Sequence, residues 1–116
     1  MKNILLVIDG PPDGKTAEKL RMGVGLTLDD GNKVSALLID EGVFTASGLA
    51  REDRPDRPAW YEIDKHLEIF GDLNIDLIAH EPSVRGRDLR LDRFGIRLAV
   101  DKEVSLLLEN ADIVIT

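Results

Sequence analysis

The run from Asn3 to Asp9 constrains the fold more than any other feature: a continuous series of Ile, Leu and Val that stops at Gly10-Pro11-Pro12. A strand that is apolar at every position, rather than at alternate ones, is buried on both faces. Such strands belong to parallel sheets covered by helices. The rest of the chain repeats the theme. Thr16 to Asp30 places Ala17, Leu20, Val24 and Leu28 at helical spacing with Gly31-Asn32 as the stop, and Gly23 and Gly25 weaken that helix in a way that favours close packing. Lys33 to Ile39 reads as a second buried strand, Gly42 to Ala50 as a short helix, and Arg51 to Pro58 as a polar surface loop. Ala59 to Phe70 carries Trp60, Ile63, Leu67 and Phe70 on one face of an amphipathic helix closed by Gly71. Ile75 to Ala79 is a third strand and Ile96 to Val100 a fourth, with an irregular polar region between them. Asp101 to Asn110 is a helix with Val104, Leu107 and Leu108 inward, and Asp112 to Ile115 is a fifth strand.

Parallel neighbours require right-handed crossovers, so strands alternating with helices predict a three-layer α/β/α sandwich with a mainly parallel five-stranded sheet. At 116 residues the chain is long enough for one core, and residues 1–116 are expected to form one domain. Ligands in such folds bind in the crevice beyond the carboxyl ends of the strands. Here that crevice is entered by Asp9, Asp40 and His80.

Composition narrows the chemistry. There is no cysteine, which removes disulfides, thiolate metal sites and cysteine nucleophiles together. No metal or cofactor is expected. No apolar stretch is long enough to span a bilayer and no cleavage signal follows the first strand, so a cytoplasmic protein without membrane contact is expected. Fifteen Lys plus Arg against 22 Asp plus Glu leave a net charge of −7, a poor match to nucleic acid.

The loop Gly10 to Thr16 ends in Gly-Lys-Thr but has three residues between its glycines where a phosphate-binding P-loop has four. Pro11 and Pro12 also lack the N–H groups that cradle phosphate, so a rigid turn into a helix is the better reading. Asp9, Asp40 and Glu41 follow strands, where acids also serve to begin the next helix. His80, followed by Glu81 and Pro82, is the best single candidate for a reactive group, whereas His66 is expected at the surface. Arg85, Arg87, Arg90, Arg93 and Arg97 make the one basic segment in an acidic chain. Their guanidinium forks suit a small anionic ligand or an acidic partner, but no interleaved aromatics support base stacking.

Four stretches carry a resemblance to a known family: the opening KNILLVIDGPPDG, IDEGVF from Ile39 to Phe44, AHEPSVRGRDL after the third strand, and the closing ENADIVIT. In their order and spacing the chain resembles the DsrE/DsrF-like group, which includes the TusB, TusC and TusD subunits of the sulfur relay. IDEGVF and Ser83-Val84-Arg85 are most similar to the TusC/DsrF branch. The resemblance implies a small α/β domain that assembles into homo-oligomers or hetero-oligomers with related subunits. It also implies a family chemistry in which persulfide sulfur passes through a cysteine after the third strand. Here that loop holds His80, Glu81, Pro82 and Ser83, and none of them forms a persulfide, because the exchange needs a thiolate.

Three functions follow as expectations. The first is a non-catalytic scaffold or partner-binding subunit. The second is a small-molecule or anion-binding module using Asp9, Asp40, His80, Glu81, Ser83, Arg85 and Arg87. The third is a hydrolase or transferase with His80 as base and Ser83 as nucleophile or Glu81 as orienter, disfavoured because no nucleophile elbow exposes Ser83. Trp60, Tyr61, Val43, Phe44 and Leu49 exceed what a short helix pair buries, so some of them are expected to face a subunit.

Overall fold

A computed structural model of the chain describes residues 2–10, 14–28, 31–46, 58–87 and 95–116, without the side chains of 46 and 58–64. Strand β1 (Lys2–Ile8) lies inside the sheet, with β2 (Asn32–Leu38) on one side and β5 (Ile113–Ile115) on the other. Strands β3 (Asp76–His80) and β4 (Arg97–Ala99) continue outward from β2, giving the order β4-β3-β2-β1-β5 with every neighbouring pair parallel. The mainly parallel five-stranded sheet expected from the apolar runs is thus the one observed.

The topology explains which helix covers which face. The chain steps in one direction from β1 through β3, so right-handed crossovers put helices α1 (Gly14–Leu26) and α2 (Pro58–Asp72) on the same face. The return from β4 to β5 runs the other way and places the helix Asp101–Asn110 on the opposite face. On the first face Ile4, Leu6 and Ile8 pack with Leu20 of α1 and with Leu67 and Phe70 of α2. On the second, Leu5, Leu37, Ile78 and Ala99 meet Val104. Leu5 and Leu6 are 2% and 0% exposed, which is why the first strand shows no alternation in sequence.

Local chemistry sets the boundaries. Helix α1 ends at Leu26, short of the predicted Asp30, because the Thr27 hydroxyl donates to the Val24 carbonyl at 2.6 Å and the Asn32 side-chain amide donates to the Leu26 carbonyl at 3.1 Å. Gly23 does serve close packing, since a Cβ there would lie 2.5 Å from Leu6 Cδ1, whereas Gly25 faces open space. Helix α2 runs past Gly71 to Asp72, and the left-handed residue that terminates it is Asn74 (φ 56°), with the Ile75 N–H donating to the Phe70 carbonyl at 2.9 Å. The segment predicted as a short helix from Gly42 is a 3₁₀ turn over Asp40–Ala46, and residues 47–50 lie outside the described ones. The polar region after β3 begins with a one-turn helix that the sequence pattern did not reveal, α3 (Glu81–Val84), with Pro82 in its first turn; the long helix that follows is α4 (Asp101–Asn110).

The expectations for Val43 and Leu108 are corrected. Val43 is fully buried in the chain's own core, and Phe44 is half-buried. Val43 therefore needs no partner subunit to cover it, while Leu49 and the side chains of Trp60 and Tyr61 lie outside the described residues. Leu108, expected inward, is 44% exposed, because α4 is the one described helix on its face and nothing described covers its flank. Among the described residues no helix is long and apolar enough to cross a membrane.

Candidate functional site

Register brings the candidate residues to one edge. Ile8 pairs with Leu38, Leu38 with Ala79, and His80 with Ala99, so the exits of four parallel strands are level. Asp9, Asp40, His80 and the start of α4 therefore line the same carboxyl edge.

His80 is the last residue of β3, and three residues on, within α3, stands Ser83. His80 Nδ1 lies 2.7 Å from Ser83 Oγ, and His80 Nε2 lies 2.5 Å from Asp101 Oδ1. Ser83 Oγ also accepts a hydrogen bond from the Asp40 N–H at 2.9 Å. For a neutral imidazole one proton arrangement satisfies all three contacts: the serine hydroxyl donates to Nδ1, and the Nε2–H donates to the Asp101 carboxylate. The result is a carboxylate–imidazole–hydroxyl line, the parts of an activated nucleophile.

The burial order is the reverse of what nucleophilic attack needs. The Asp101 side chain is 84% exposed and that of His80 13%, while Ser83 as a residue is 8% exposed. The hydroxyl is the inner end of the line, and the Asp40 amide already takes one of its lone pairs. The arrangement binds β3, α3, α4 and the 3₁₀ turn together.

Asp40 itself is held in the left-handed region (φ 53°), a conformation an L-residue adopts at a cost. Both of its backbone groups are restrained by the segment after β3, the N–H by Ser83 and the carbonyl by Arg87 Nη1 at 2.9 Å. Arg87 returns to that carbonyl because Gly86 turns the chain at φ 81°. Its guanidinium carbon lies 5.0 Å from the centroid of the Phe44 ring. Arg85 instead donates to Glu81 Oε1 at 2.6 Å, one helical turn back. That hydrogen bond, then the Glu81 charge and more weakly that of Asp101, raise the Arg85 guanidinium above its ordinary pKa, against a small opposing effect of desolvation.

The structure thus joins His80, Ser83, the Asp40 backbone and Arg87, with the Glu81–Arg85 pair beside them. Asp9 stands apart at 3.8 Å from Lys19, whose ammonium also donates to the Val7 carbonyl at 3.3 Å. Arg97 does not belong to the crevice. It opens β4 at the opposite end of the strand and pairs with Glu103 at 3.2 Å, while Arg90 and Arg93 lie outside the described residues. His66 is half-buried rather than at the surface, with Nδ1 enclosed and without a hydrogen-bond partner among the described residues. Two participants were missed from sequence, Asp101 and Phe44. Asp101 follows the fourth strand as Asp9 follows the first, but only the β3–β4 pairing shows that it reaches His80.

No protein-family model matches the sequence, and no curated protein matches it. Among solved structures, the fold superposes on the crystal structure of the YchN protein from E. coli with a TM-score of 0.81, at 24% sequence identity, over 100% of this chain and 99% of that one. This protein therefore has the α/β fold of YchN, with a hydrogen-bonded His80–Ser83–Asp101 line at the carboxyl edge of its sheet.

Proposed function

We propose that the chain is a non-catalytic, partner-binding subunit of a cytoplasmic oligomer built from DsrE-like domains, a cysteine-free counterpart of the TusC/DsrF branch of the sulfur relay. One observation carries the reading: at the edge where chemistry would reside, the Ser83 hydroxyl is the buried inner end of the line through His80 to Asp101 and already accepts from the Asp40 N–H. A hydroxyl that attacks a substrate must face the crevice. Here it faces inward, and the 116 residues contain no thiol to take up sulfur.

The apolar surface supports assembly. Leu106, Leu108, Ile113 and Val114 are 40–48% exposed on α4 and the edge strand β5, on and beside the sheet face covered by a single described helix. A partner domain would remove that surface from water.

Affinity purification from the native cell should recover a cysteine-bearing subunit of the same fold, in a complex of defined mass by light scattering at micromolar protein. A monomer under those conditions, with no such subunit recovered, overturns the proposal.

A further inference from the structure

A long charged side chain on a surface ordinarily keeps its rotamer freedom, because an exposed contact rarely repays the entropy of fixing it. Arg87 departs from this. Its residue is exposed, yet its guanidinium is held twice, by the hydrogen bond from Nη1 to the Asp40 carbonyl at 2.9 Å and by the Phe44 ring at 5.0 Å. The residue it grips is a strained left-handed Asp40, braced from the other side by Ser83. Strain together with a doubly anchored exposed arginine, at the edge where parallel α/β sheets take ligands, is the mark of a preorganised site.

Charge bookkeeping at this edge singles out the same group. Glu81 pairs with Arg85 and Asp9 with Lys19, while Asp101 accepts from the neutral His80 ring. Arg87 makes no ion pair among the described residues and donates only to a neutral carbonyl. Its Nε–H and Nη2–H groups make no hydrogen bond among the described residues, and together they form the fork that matches two oxygens in one plane.

We infer that Arg87, seated on Phe44 and the Asp40 carbonyl, is a receptor for a single carboxylate. The acids on the same edge, Asp40, Glu41, Glu81 and Asp101, select among anions. Only Glu81 among them has a cationic partner among the described residues, so the acids outnumber Arg87; attraction and repulsion both double for a dianion, and the net repulsion favours a carboxylate over a phosphate dianion. The carboxylate belongs either to a small acid or to an acidic side chain of a protein. This inference goes beyond the subunit reading and does not depend on it.

The test is a two-dimensional NMR titration of the intact chain with sodium acetate, compared with sodium chloride at equal ionic strength. The Arg87 Nε–H resonance and the Phe44 amide should move saturably with acetate and not with chloride. Arg87→Lys, which keeps the charge and loses the fork, should weaken acetate binding about tenfold. Phe44→Leu, which keeps the guanidinium and loses the ring, should weaken it about two- to fivefold. Equal response to acetate and chloride, unchanged acetate binding in Arg87→Lys, or tighter binding of hydrogen phosphate dianion than of acetate each overturn the inference. Should a variant fail to fold, the wild-type Arg87 resonance alone decides. A capped peptide carrying one glutamate distinguishes the sources: binding about tenfold tighter than acetate assigns the carboxylate to a protein, and equal or weaker binding assigns it to a small acid. Loss of partner recovery with acetate binding intact would remove the subunit reading and leave this one standing.

Discussion

Replacing Ser83 with Ala removes one oxygen and leaves two groups without their partner: the Asp40 N–H, which donates to it at 2.9 Å, and His80 Nδ1 at 2.7 Å. A typical intramolecular hydrogen bond contributes about 1 kcal/mol net, and a buried group left unpaired costs about 1–3 kcal/mol. Ser83 is 8% exposed, so water does not readily take its place. Against this, Asp40 (φ 53°) regains freedom to relax, which returns up to about 1 kcal/mol. The balance is a loss of about 2 kcal/mol, equivalent to roughly 8 °C in Tm for a domain of this size. Urea unfolding followed by far-ultraviolet circular dichroism, at one fixed protomer concentration, measures it, and the m value should stay unchanged. The double variant His80→Ala/Ser83→Ala should be less destabilised than the sum of the single variants by about 1 kcal/mol, because the two side chains share a bond. Ser105→Ala, exposed on α4, should stay within about 0.5 kcal/mol of the parent. A Ser83→Ala chain within about 0.5 kcal/mol of the parent, or strictly additive single variants, would refute the claim that this line of hydrogen bonds holds the carboxyl edge together.

Three further outcomes are expected. Asp40→Gly and Asp40→Val both delete the carboxylate, but glycine accepts the left-handed backbone and a β-branched residue does not. Valine should therefore be less stable than glycine by about 1–2 kcal/mol in urea unfolding, and equal stabilities would show that the backbone conformation is not maintained. A Cβ at Gly42 would sit 1.7 Å from the Ile8 carbonyl oxygen. Gly42→Ala must therefore drive the 3₁₀ turn off β1, lowering stability by about 3 kcal/mol or more, and a change under about 1 kcal/mol would contradict that contact. Phe70→Ala opens the first core face, where Phe70 is 1% exposed, and should cost about 3–5 kcal/mol by chemical denaturation, whereas a small loss would place α2 elsewhere.

Much of the architecture was legible because burial leaves a periodic trace. The uninterrupted Ile4 to Ile8 run shows both faces of β1 covered, and the spacing of Leu67 and Phe70 shows one face of α2 covered; both patterns survive without knowledge of any neighbour. Helix α3 left no trace, since four residues containing a proline are too few to establish a period. The end of α1 was misjudged because side chains of Thr27 and Asn32 take up its terminal carbonyls before the glycine at position 31 is reached. In the candidate site, His80 was found from its place after a strand, and its neighbour Ser83 came with it. Asp101 lies 21 residues away, and nothing in the local pattern connects the two.

The sequence by itself determined that the chain forms parallel strands with helical crossovers and that its 116 residues cannot carry a persulfide, since apolar periodicity and the absence of a thiol are properties of the letters alone. Only the tertiary structure decided what stands at the carboxyl edge. Strand order placed β4 beside β3 and so delivered Asp101 to His80, while the left-handed turns at Asp40 and Gly86 brought Arg87 onto Phe44. The physical reason is range. Hydrophobic period is written within one turn or one strand, whereas a hydrogen bond between distant residues exists only after the sheet has chosen its neighbours.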